Sequence, residues 1–73
     1  MFPLSIARAG DRVMVARIGG NPDAKKHLED LGFVVGSEIK IVSAPGDGYI
    51  IAMVKDARLA ITSEMAGKVM VTM

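Results

Sequence analysis

The chain has no cysteine and no tryptophan, and its 73 residues include only two phenylalanines and one tyrosine. The missing cysteines exclude a disulfide framework and any thiolate metal site, and nothing points to an oxidising compartment. Charge of one sign is also scarce. Nine Lys and Arg stand against eight Asp and Glu, a formal net charge of +1, far from the balance of a protein that tracks a phosphate backbone. The longest apolar run, Tyr49–Val54, has 6 residues, the length of a strand and far short of the roughly 20 that cross a bilayer. Residues 1–6 lack the basic region and long apolar run of a signal peptide, so a cytoplasmic location without membrane insertion is expected.

What is present is a β-forming chain with one interruption. Hydrophobic residues make up 51% of it, with Val and Ile prominent, as suits small branched side chains in a narrow β core. A chain this short has room for one core and buries roughly 60–65% of its unfolded surface, so 1–73 is expected to be a single domain. The one helix starts at Asn21 and stops at Gly32. Asn21 can accept from the orphan amides of the first turn. Pro22 suits the first helical position, where its missing N–H has no partner anyway, and Asp23 meets the positive end of the dipole. Ala24, Leu28 and Leu31 recur at i, i+4, i+7 as one apolar stripe, while Lys25, Lys26, His27, Glu29 and Asp30 cover the remaining surface. Gly32 supplies a left-handed terminator, and Phe33 stands where a Schellman cap would pack it onto Leu28.

Around the helix the periods are those of strands. Residues 3–10, with Leu4 and Ile6, read as a lead-in covering one end of the fold, and Gly10-Asp11 as a turn. In Arg12–Ile18, Val13 and Val15 fall on one side and Met14, Ala16 and Ile18 on the other, as in a central strand covered on both faces. Residues 37–43 place Ile39 and Ile41 opposite Glu38 and Lys40. The turn signal of 44–48 joins them to a strand over 49–55, and Asp56-Ala57 turns tightly into 58–62, with Leu59 and Ile61 inward. Ser63 is the expected cap of a single helical turn over 63–66, and 68–73 closes the chain with Val69 and Val71 inward. Met14 and Met53 are expected to fill core gaps, and Met70 to face a partner.

Five short antiparallel strands close best on themselves, because an open sheet leaves two exposed edges. The expected fold is therefore mainly β: a small SH3-like five-stranded antiparallel barrel, with one short helix between strands one and two plugging an open end. With three aromatics and no tryptophan it cannot build the groove that receives proline-rich peptides.

In this arrangement the chain resembles the FeoA family, small cytoplasmic accessory proteins of bacterial ferrous iron uptake whose SH3-like domain also occurs in some metal-dependent repressors. The resemblance spans the whole chain. It is carried by Leu4 and Gly10, by Leu28-x-x-Leu31-Gly32-Phe33-x-x-Gly36-x-x-Ile39, by Asp47-Gly48, by Arg58-Leu59-Ala60-Ile61 and by Ala66-x-x-Val69-x-Val71. Asp56-Ala57 departs from the family, where a glycine-containing turn is common. The resemblance implies no catalytic residue, and it implies a regulatory domain acting on the cytosolic, GTP-hydrolysing part of the FeoB iron permease.

Residues that could carry chemistry are few. Asp23, His27 and Asp30 share a helix face and offer oxygen and imidazole ligands suited to ferrous iron or zinc. With no second histidine and no cysteine this set is incomplete, so the plainer reading is a solvated face. No resident cofactor is expected, and zinc or iron would bind only where a second chain completes the ligands, in a weak homo-oligomer. Gly19-Gly20 lacks the Lys and Thr of a phosphate loop, and Pro45-Gly46-Asp47-Gly48 precedes a strand, so no nucleotide site is expected. No serine is spaced to meet His27, which excludes a local nucleophile and base and with it an enzyme.

Lys25, Lys26 and His27 form a basic patch, and Tyr49 carries an amphipathic ring of the kind interfaces favour. Two readings of these four residues stay open: a partner surface, or lysines that merely solvate the helix beside a half-buried Tyr49. The alternative function is an SH3-like nucleic-acid-binding or other regulatory interaction domain. Against a nucleic-acid partner, Arg8, Arg12, Arg17, Lys40, Lys55, Arg58 and Lys68 are interleaved with acids.

Overall fold

The computed structural model describes residues 1–44 and 48–73. The elements run β1 (Phe2–Pro3), a 3-10 turn (Leu4–Ile6), β2 (Arg12–Ile18), α1 (Pro22–Asp30), β3 (Glu38–Ser43), β4 (Tyr49–Val54), β5 (Ala57–Thr62), α2 (Ser63–Ala66) and β6 (Val69–Thr72). Every strand pairing is antiparallel, in one sheet of order β1-β6-β2-β3-β4-β5. The mainly β expectation holds, with β2 central. The middle of the expected 44–48 turn, Pro45, Gly46 and Asp47, lies outside the described residues.

Among the described residues the sheet has six strands, not five. Phe2 pairs with Val71 and Pro3 with Met70, so the expected lead-in begins as an edge strand. Two residues are too few to show a period, and a proline reads as a turn. At an edge, however, its missing N–H need not disrupt a ladder. The 3-10 turn packs against α2 and β6, and α2 packs against β4 and β5. Leu4 and Ala66, both fully buried, thus fill the seam between the two ends of the curled sheet.

Two bulges bend the sheet, and one of them rephases the core. Val15 pairs with Val71 but Arg17 pairs with Met70, so Ala16 is an extra residue. The insertion brings Ile18 round to the side of Val13 and Val15, and all three are buried. Strict alternation places Ile18 on the opposite face, so the bulge corrects that expectation. Met14, before the bulge, alternates with the buried Val13 and Val15 and stands outside, 49% exposed. Met53 is half-buried and likewise stands outside the core cluster, so neither methionine fills a core gap. Val42 is the extra residue of a second irregularity, where Ile41 pairs with Ala52 and Ser43 with Ile51.

The tight hairpin lies one residue earlier than expected. Val54 pairs with Ala57, so the loop is Lys55-Asp56, and both residues have positive φ, 51° and 65°. A two-residue loop of this kind matches strand twist but favours Asn-Gly, because side chains resist the left-handed region. Replacing both, Lys55→Asn with Asp56→Gly, is expected to stabilise the fold by about 1 kcal/mol. In urea denaturation this should appear as a higher midpoint at an unchanged slope. At α2, Thr62 and not Ser63 is the cap: its Oγ1 accepts from the Met65 amide at 3.2 Å.

Candidate functional site

The helix α1 is built as its sequence dictates. Asn21 Oδ1 accepts from the Ala24 amide at 2.8 Å, with Pro22 in the first position. At the other end the Phe33 amide donates to the Leu28 carbonyl at 3.0 Å and the Gly32 amide to the Glu29 carbonyl at 2.9 Å, a full Schellman pair. Leu28 and Phe33 are completely buried, so the cap and the core are joined at one point. Ala24 and Leu31 are only half-buried, which corrects the expectation that the whole stripe plugs the barrel. Leu28 is the helix's one buried residue, and the Leu31 end of its stripe opens onto a groove.

A groove runs along each side of α1. The one toward β2 has a volume of about 450 Å³ and is lined by Ala16, Arg17, Ile18, Lys25, Glu29, Val34 and Val35. One wall is set by the segment after the helix, whose Gly36 amide donates to the Val15 carbonyl at 2.8 Å while the Val15 amide donates to the Ser37 carbonyl at 2.9 Å. These bonds tie the segment after the helix to β2 and hold Val35 at the surface, 68% exposed. Two cations, Arg17 and Lys25, and one carboxylate, Glu29, surround an apolar floor. The groove toward β5 is smaller, about 160 Å³, and is lined by His27, Leu28, Leu31, Ala60, Ile61, Thr62 and Met65.

The basic patch is therefore divided. Lys25 lines the larger groove and His27 the smaller, with Lys26 exposed on the same helix. Tyr49 lines neither; it stands 40% exposed on β4, paired with Thr62. Asp23, His27 and Asp30 are all exposed, and among the described residues no three His, Asp or Glu side chains converge as a metal site. Nor does any side-chain hydrogen bond among the described residues join a nucleophile to His27. Arg17 and Val35 escaped the sequence reading. The adjacent valines 34 and 35, an apolar pair straight after a helix terminator, were the available signal for the second; nothing short of the bulge reveals the first.

A curled β sheet with α1 flanked by two open, partly apolar grooves, the larger of which carries Arg17 and Lys25, defines a small SH3-like domain. Its lineage is shown by comparison: the FeoA domain profile matches residues 2–73, and the chain belongs to that family. It is 32% identical over 71 residues to a candidate Fe(2+) transport protein A of Methanocaldococcus jannaschii, covering 97% of this chain and 85% of the relative. The crystal structure of an iron uptake regulatory protein, FeoA, superimposes with a TM-score of 0.89 at 35% identity, over 97% of this chain and 93% of the other. FeoA of Stenotrophomonas maltophilia, solved with zinc and described as a prokaryotic SH3 domain protein and candidate activating factor of ferrous iron transport, gives a TM-score of 0.85 at 25% identity. That match covers 99% of this chain and 91% of the other. Among the described residues no helix is long and apolar enough to cross a membrane.

Proposed function

We propose that this chain is a cytoplasmic accessory protein of ferrous iron uptake, and that it docks on the cytosolic, GTP-hydrolysing part of a FeoB-type permease through α1 and the groove toward β2. Membership of the FeoA family supports the process. The observation that carries the docking face is the exposed Val35 set beside Arg17 and Lys25 in a groove of about 450 Å³. Such a cleft suits an apolar side chain with a carboxylate next to it. The apolar part would supply the anchor, and the cations would steer encounter and register.

The test is binding of the purified cytosolic domain at several salt concentrations. Wild type should bind more weakly as salt rises, and the pair Lys25→Glu with Lys26→Glu should lose at least about tenfold in affinity, equivalent to about 1.4 kcal/mol. Wild-type affinity in the double variant would show this face to be idle. No binding by the wild-type chain would remove the permease as partner.

A further inference from the structure

The strand β5 has a free edge. Among the described residues β4 is its only strand neighbour. The two-residue loop makes Val54 and Ala57 the first hydrogen-bonded pair of the hairpin, because the residues flanking such a loop exchange both bonds. That phase continues along the strand. Ala57, Leu59 and Ile61 bond to β4, so Arg58 and Ala60 aim N–H and C=O away from the sheet. An edge of this kind is a template for another strand.

The smaller groove lies along that edge. Ala60, Ile61 and Thr62 line it consecutively, although successive side chains of a strand point to opposite faces, so it follows the backbone edge and not one face of the sheet. The α1 residues His27, Leu28 and Leu31 line it as well, with Met65 from α2. The result is a slot between a strand edge and a helix, apolar at five of its seven residues.

We propose that β5 receives an extended segment of a partner protein as an added antiparallel strand, with an apolar side chain in the slot and an acidic residue beside Arg58. Main-chain bonds to the edge would supply affinity, and the slot would select the side chain. About 160 Å³ holds one large apolar side chain, not a second helix. Arg58 is exposed and shares the outward phase of Ala60, which sets the charge of the residue opposite it. A second copy pairing through its own β5, Ala-Arg-Leu-Ala-Ile-Thr, would bring another Arg58 and no acidic residue to the edge. The segment's source rests on the permease reading above; the edge and the slot do not.

The experiment adds the purified cytosolic domain of a FeoB-type permease to the full chain and follows amide hydrogen exchange residue by residue, beside affinity. The Arg58 and Ala60 amides are expected to slow at least tenfold on binding. Ala60→Pro deletes one outward N–H and is expected to weaken binding at least tenfold, and by more than Ala60→Ser, which keeps that N–H and changes only the side chain. Circular dichroism checks that the proline variant folds, and the wild-type exchange data decide the matter if it does not. Tight binding with unchanged exchange at Arg58 and Ala60, or full affinity in a folded Ala60→Pro, overturns strand addition and leaves the permease reading intact. Absence of any binding by wild type overturns the permease reading and this source of the segment together.

Discussion

Replacing Leu28 by alanine should remove about 2–5 kcal/mol of stability through the cavity it leaves. The side chain is fully buried, and it is the only residue of α1 that is. A helix of 9 residues is too short to persist in water by itself. Its caps contribute roughly 1 kcal/mol apiece, so the contact of Leu28 with the core decides whether α1 stays docked. For 73 residues the whole fold is expected to be stable by roughly 4–11 kcal/mol, so this one truncation removes a large fraction, and the melting temperature should fall by about 10 °C or more. Leu31→Ala is the internal comparison. Half-buried at a groove mouth, it should cost less than about half as much, because the site is already open to solvent on one side. Urea denaturation of both variants checks the ranking. Equal losses would mean that the helix is held along its whole stripe, and a loss below about 1 kcal/mol for Leu28→Ala would mean that capping alone holds it. Both grooves share α1 as a wall and Leu28 lines the smaller one, so the Leu28 variant should also weaken partner binding.

The helix was legible because each of its signals is local. Asn21, Pro22 and the Gly32-Phe33 terminator act within one turn of themselves, and the observed bounds and bonds follow from them. The inward sets Ile39 and Ile41, and Val69 and Val71, were legible because strict alternation holds there. What escaped the reading depends on strand pairing, which no window of sequence contains. The bulge at Ala16 is a property of β2 against β6, and it moves Ile18 inward while Met14 stays at the surface. The edge strand Phe2–Pro3 exists because Val71 and Met70 are there to receive it. The same limit applies to the grooves. Lys25 and His27 were visible as helix surface, but the partners that make each a wall, Arg17 and Val35 for one and the β5 edge for the other, come together only through the bulge and the hairpin. A type-specific residue pattern predicts elements; the surfaces between elements depend on register.

Gly32→Ala should cost about 2 kcal/mol or more, from two causes that add. The backbone at Gly32 has φ +104°, a region that residues with a Cβ resist by roughly 1–2 kcal/mol. A Cβ built there would also stand 2.9 Å from Cγ1 of Val54. Val54 is buried and branched, so it has no free direction in which to yield. Either the Schellman turn gives up its left-handed residue or the tip of the β4–β5 hairpin moves away from the helix. Gly10, also left-handed at φ +91°, separates the two causes, since nothing lies within 4 Å of a Cβ at that position. Gly10→Ala should show the backbone cost alone, about 1 kcal/mol, and the excess in Gly32→Ala measures the collision with Val54. Denaturant midpoints for the two variants give the difference directly. If they match, Val54 yields freely and the hairpin is not braced by the end of α1. If Gly32→Ala is the worse, as the 2.9 Å approach requires, then the glycine that ends the helix also sets how closely α1 can approach β4 and β5, and therefore the width of the slot along the free edge.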